Sequence, residues 1–135
     1  MRLLAASLLT FFIGCNDYTM NGVEKRQPQM LVHPQEIDFG RLDAGTESGH
    51  ETFMIVNTGD EDLKIFAPDL VSGNVRFEID EYDEEVITIE GGAFLEVNVY
   101  YNPETYETNG AYISVEGNDE LNPMAQVLLT VVMHL

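Results

Sequence analysis

Residues 53–66, FMIVNTGDEDLKIF, restrict the fold more than any other part of the chain. Phe53, Ile55 and Asn57 alternate with Met54 and Val56 ahead of a polar turn. Leu63 and Ile65 alternate with Lys64 and Phe66 beyond it. A period of two sends successive side chains to opposite faces of an extended strand. Two such runs around a turn containing Gly59 predict a β-hairpin, or a corner where the chain passes between sheets.

The same period recurs downstream. Short strands are expected at residues 30–33, 37–40, 51–57, 63–66, 75–79, 86–89, 94–101, 111–115 and 126–133, with Pro34, Gly91-Gly92 and Pro103 as stops. The clearest is residues 94–101, where Leu95, Val97, Val99 and Tyr101 oppose Glu96, Asn98 and Tyr100. No run has helical spacing. Strands that alternate must bury one face against a second sheet, so the expected fold is an all-β, immunoglobulin-like sandwich of about seven to eight antiparallel strands. With 135 residues, 44% of them hydrophobic, one domain with a real core is expected.

The N-terminus reads differently. Arg2 precedes an apolar run at residues 3–13, which is the length of a secretory signal and far short of the ~20 residues that span a bilayer. Phe12-Ile13-Gly14-Cys15 resembles a bacterial lipobox, with Phe12 where leucine is commoner. The resemblance implies cleavage before Cys15, lipidation of its sulfur and acylation of the new amine. Two acyl chains anchor a protein stably. Cys15 is the sole cysteine, so no internal disulfide can form. Residues 16–29 lack apolar periodicity and are expected to be a flexible tether. The expected organisation is a signal at 1–14, lipidated Cys15 and tether at 15–29, and a domain at 30–135. Asn16, where an Asp would retain a lipoprotein in the enterobacterial inner membrane, points to the outer membrane.

Net charge bounds the partners. Six basic residues face 24 acidic ones, giving −18. Nucleic acid and anionic headgroups are thereby disfavoured for the domain, leaving the lipid anchor as the membrane contact. The densest acidic run is residues 78–85, EIDEYDEE. Asp80, Glu81, Asp83, Glu84 and Glu85 are candidate ligands for a weak Ca²⁺ site, although the loop lacks EF-hand spacing, and a solvated loop is the plainer expectation. His33, His50 and His134 are too scattered for zinc. No nucleophile motif is present, so no enzyme activity and no cofactor are expected.

The order of short motifs carries a family resemblance. One half is Ile37-Asp38-Phe39-Gly40, Gly45, Phe53-x-Ile55-x-Asn57-Thr58-Gly59 and Leu63-x-Ile65. The other is Phe77-x-Ile79, Ile89-x-Gly91-Gly92, Val97-x-Val99-x-Tyr101-x-Pro103 and Ala111-x-Ile113-x-Val115-x-Gly117-Asn118-Asp119. Together they resemble the ASH/Hydin-type immunoglobulin-like domain of bacterial choice-of-anchor D proteins, related to major sperm protein and PapD-like sandwiches. The final strand departs, since it lacks the usual Leu-x-Gly-x-Gly close; a single domain is expected where the family is often tandem. The resemblance implies a binding or scaffolding module without catalytic residues. Asn57 is then structural, satisfying turn backbone groups, and Gly59 is expected to take positive φ.

The alternation leaves Phe66, Tyr112, Leu128 and Val132 facing outward on strands expected to be neighbours. A contiguous apolar outer patch marks a partner surface. The expected function is a lipid-anchored, non-catalytic protein-binding or scaffolding module of the bacterial envelope. Its partner would be an envelope or surface protein, reached through that patch or by strand addition at an edge. The rival is a calcium-dependent adhesive or carbohydrate-binding domain.

Overall fold

The computed structural model describes residues 24–43, 49–71, 77–101 and 109–134. Ten strands lie among them: β1 (Met30–His33), β2 (Glu36–Asp43), β3 (Gly49–Asn57), β4 (Leu63–Phe66), β5 (Asp69–Val71), β6 (Phe77–Ile79), β7 (Val86–Ile89), β8 (Phe94–Tyr101), β9 (Asn109–Glu116) and β10 (Met124–His134). A front sheet runs β2-β10-β9-β5, a back sheet runs β1-β3-β8-β6, and β4 pairs with β7 at the side. The all-β sandwich is therefore present, with more strands than expected. One pairing, β2 with β10, is parallel rather than antiparallel. β5 escaped the sequence because three residues are too few to show a period.

The inward positions form one core. Phe53, Ile55, Val97, Val99 and Tyr101 come from the back sheet, Ile113, Val115, Val127, Leu129 and Val131 from the front, and Leu63 and Ile65 from the side pair. Burying each such side chain contributes about 1.5–3 kcal/mol. Phe77 packs on Tyr101 at 4.7 Å between ring centroids, and Phe39 reaches both rings at 6.0 and 6.2 Å. Phe39 belongs to β2, which carries a bulge: Thr130 stands opposite Asp38, yet Val132 stands opposite Arg41. Gly40, at φ 73°, takes up the extra residue, and its N–H donates to Asp38 Oδ1 at 2.8 Å. The bulge also interrupts this long edge of the front sheet, which discourages a foreign strand from pairing there.

Residues 53–66 form a corner, not a hairpin. β3 lies in the back sheet, whereas β4 pairs with β7 and meets the residue just past β9 through the Ile65–Gly117 bridge. The Asn57 side chain is fully buried at this corner. Its Oδ1 accepts from the N–H of Gln29 (3.2 Å) and Gly59 (2.9 Å). Its Nδ2 donates to the C=O of Glu61 (2.7 Å) and Ile89 (2.9 Å). Two acceptor and two donor sites are thus all engaged. Gly59 is not among the described positive-φ glycines, which are Gly40 and Gly92. Its requirement is space instead: a Cβ there would collide with the backbone of Gln27.

That collision partner belongs to the segment ahead of β1. Arg26 donates from its backbone N–H (2.8 Å) and Nε (3.2 Å) to Asp60 Oδ2, and from Nη2 to Oδ1 (3.2 Å). Hydrogen bonding to Arg26 holds the Asp60 carboxyl below its usual range. The N–H groups of Asp60 and Glu61 donate back to Arg26 C=O. Residues 24–29, assigned from sequence to the tether, are thus docked on the corner where they are described.

Two motif residues clamp the other end of β9. Asn118 and Lys64 exchange hydrogen bonds, Lys64 N–H to Asn118 Oδ1 and Asn118 N–H to Lys64 C=O. Asp119 is buried and accepts from the N–H groups of Met30 (2.8 Å), Leu121 (2.9 Å) and Asn122 (3.2 Å). Burial pushes its carboxyl up, but these backbone donors and the Asn122 side chain outweigh it and hold the carboxyl below the ordinary value.

Two outcomes follow for stability. Asn57→Ala strands four backbone partners, of which the Gly59 N–H and Ile89 C=O are buried, and should cost about 3 kcal/mol in urea unfolding. Asp119 has a lowered folded pKa, so its stabilisation is complete above the unfolded value of about 3.9 and fades as pH falls through the folded one. The stability gap between the parent and Asp119→Ala should therefore narrow on acidification below about pH 4, measured by denaturant midpoints across pH.

Candidate functional site

The outer face of the front sheet carries one apolar row. Leu128 on β10 stands directly opposite Tyr112 on β9, and Tyr112 stands opposite Val71 on β5. Glu36 on β2 ends the row beside Leu128. Leu128 is 47% exposed and Val71 37%, while Tyr112 is partly buried. Their sequence neighbours Ile113, Val127 and Leu129 fill the core, which is why the row must face outward. Polar rows flank it: Asp69, Ser114 and Gln126 on one side, Thr130 and Asp38 on the other. Cross-strand neighbours of this kind touch directly, so the row is a ladder and not three scattered side chains.

The structure thus brings Tyr112 and Leu128 together and adds Val71, which sequence reasoning missed with its strand. Phe66 is placed elsewhere. It is 51% exposed on β4, opposite Val86 on β7, beside the far end of β9, where Ile65 bridges to Gly117. Phe66 and Val86 line a separate hollow of about 230 Å³ with Lys64 and Asn118. Val132 lies in β10 at the bulge, and its side chain is outside the described ones. Cys15 also lies outside the described residues.

The acidic run does not converge. Asp80 Oδ2 accepts from the backbone N–H and the Nδ2 of Asn98, each at 2.9 Å. Glu81, Asp83, Glu84 and Glu85 are exposed. Tyr82 turns back onto the domain, where burial and then the Asp80 charge raise its hydroxyl pKa. Among the described residues no three His, Cys, Asp or Glu side chains are grouped to hold a metal. The histidines are equally spread. His50 stacks on Tyr100 at 4.8 Å and donates from Nε2 to Asn98 Oδ1 at 2.9 Å, His33 is exposed at the end of β1, and the His134 side chain lies outside the described ones. The chemistry offered by the front face is apolar burial ringed by polar groups.

Sheet order, buried face and corner together define an immunoglobulin-like sandwich of the PapD-like kind. The chain belongs to the HYDIN/CFA65/VesB-like immunoglobulin-like domain family, whose model matches residues 28–131. Many solved structures are similar in fold, three of which illustrate the range. The ASH/PapD-like domain 7 of human CEP192 is 13% identical, with 90% of this chain and 96% of that one covered and a TM-score of 0.60. The secreted serine protease VesC from Vibrio cholerae is 14% identical, with 78% of this chain and 23% of that one covered and a TM-score of 0.56. A chaperone–tip adhesion subunit complex, CsuC–CsuE of the Csu pili of Acinetobacter baumannii, is 12% identical, with 78% of this chain and 57% of that one covered and a TM-score of 0.54. No curated protein matches the chain.

With Asp80 committed to Asn98, millimolar calcium should leave the thermal midpoint unchanged. A clear upward shift on calcium addition would restore the acidic run as a binding site.

Proposed function

We propose that the chain is a lipid-anchored, non-catalytic module of the bacterial envelope that holds another envelope or surface protein. The observation that carries the reading is the Leu128–Tyr112–Val71 ladder, an exposed apolar row laid across three strands of a rigid sheet. Contiguous apolar surface on a monomeric fold is a partner signature, and an aromatic at its centre suits a binding hot spot. The fold supports the same reading, since similar sandwiches include a chain of a chaperone–tip adhesion subunit complex. The polar residues Asn57, Asn118 and Asp119 of the family motifs are engaged with main-chain partners, which leaves the outer faces for recognition.

The bulged β2 edge favours docking on the face over strand addition along that edge. Val132 would extend the surface along β10. Phe66, paired with Val86, would serve only a partner large enough to reach the far end. The anchor would be Cys15, with Asn16 favouring the outer membrane, and the acidic surface would repel polyanions.

Tyr112→Ser with Leu128→Ser should abolish capture of the partner from detergent-solubilised envelope while lowering stability by no more than about 1 kcal/mol, as outward positions do. Capture that survives the double substitution would remove the front face as the site. In the same preparations Cys15→Ala should lose palmitate label and leave the membrane fraction. Retained label would remove the anchor.

A further inference from the structure

The outer face of the back sheet is arranged about β3, with β1 on one side and β8 on the other. One row runs Leu31–Val56–Phe94 across the three strands. Leu31 is 50% and Phe94 59% exposed, either side of a partly buried Val56. The next row is His33–Met54–Glu96, all three exposed. Both rows face outward because Val32, Phe53, Ile55 and Val97, which alternate with them, are core residues. On these strands Glu96 is the one carboxylate of this face, in a chain with 24 acidic residues. Two copies that each carry −18 repel one another least where carboxylates are sparse.

The second row is complementary to itself. Met54 is central, with an imidazole one strand away on one side and a carboxylate one strand away on the other. A second copy turned by 180° about an axis along β3 lays its β1 over the first copy's β8. His33 of each copy then meets Glu96 of the other, Leu31 meets Phe94, and Met54 meets Met54. An axis across the strands would instead set Glu96 against Glu96. The leaders favour the same choice. Residues 24–29 are docked at the Asn57 end of β3, so an axis along β3 sends both leaders out of one end, where two anchors could share a membrane.

We propose that this face pairs with a second copy of the chain, back sheet on back sheet, about a two-fold axis parallel to β3. Facing sheets pack about 10 Å apart with their strands within about 30°, a gap that His33 and Glu96 span from opposite sides. Such an interface is isologous, so every contact occurs twice. The footprint of β1, β3 and β8 is at most about 14 by 24 Å from strand spacing and rise. Two such footprints fall short of the ~1,000 Å² that a stable interface buries. The pairing is therefore weak in solution and strengthened when both copies are held on one surface. It leaves the two Tyr112–Leu128 rows pointing away from each other, so the pair offers its front face twice.

The test uses the full chain in detergent with Cys15→Ala, which removes the sole native thiol and makes the outcome independent of the anchor. A short bismaleimide should join Met54→Cys chains to each other and leave Val71→Cys chains, on the front face, single. In sedimentation, His33→Glu alone and Glu96→Lys alone should each weaken pairing at least about tenfold, since each removes a cross-contact that occurs twice. Combined, they should restore it, because each new glutamate meets the other copy's lysine. Tyr112→Ser with Leu128→Ser should leave it unchanged. Circular dichroism checks that each variant folds; should a charge variant fail, the Met54→Cys and Val71→Cys comparison decides alone. No cross-link at Met54→Cys, an equal one at Val71→Cys, or a charge swap that leaves pairing weak would overturn the proposal. So would a monomeric chain whose Met54→Cys thiol is shielded from maleimide by phosphatidylcholine vesicles, which would assign the face to a lipid surface.

Discussion

A buried amide with every hydrogen-bonding site engaged stands where the sheets of this sandwich meet. Asn57 joins the segment ahead of β1 through Gln29, its own turn through Gly59 and Glu61, and the end of β7 through Ile89. In a site closed to water an unmade bond of this kind is expensive, so the four partners fix one another's positions. The leader can approach because Gly59 has no side chain, and Gly91 gives the same clearance to the backbone of Asp60. The Arg26–Asp60 ion pair sits outside this node and is exposed, so it contributes orientation more than stability.

Function follows from where the polar groups are spent. Asn57 and Asp119, the buried polar residues described, face inward and satisfy backbone N–H and C=O groups. Asp119 does so for the start of β1 and for the loop before β10. What remains for recognition is the outer surface of the two sheets. Membership of the HYDIN/CFA65/VesB-like family agrees with a module that holds rather than transforms.

Much of the fold was legible because alternation is a local property. β1, β4, β7 and β8 begin and end where the period and the Pro or Gly stops place them. Tyr112 and Leu128 could be assigned to the outside for the same reason: Ile113 and Leu129 beside them are core residues. Features set by distant segments could not be read. The parallel pairing of β2 with β10, the placing of Phe66 beside Val86, and the docking of Arg26 on Asp60 each join residues whose separation in sequence carries no period.

Amide hydrogen exchange on the intact protein tests the central claim most directly. If Asn57 organises the corner, the amides of Gln29 and Gly59, which both donate to its Oδ1, exchange as slowly as those of Ile55 and Val97 in the core. Exchange at Gln29 and Gly59 as fast as at the exposed Asp83 would show an open turn and a loose leader, and would contradict the account.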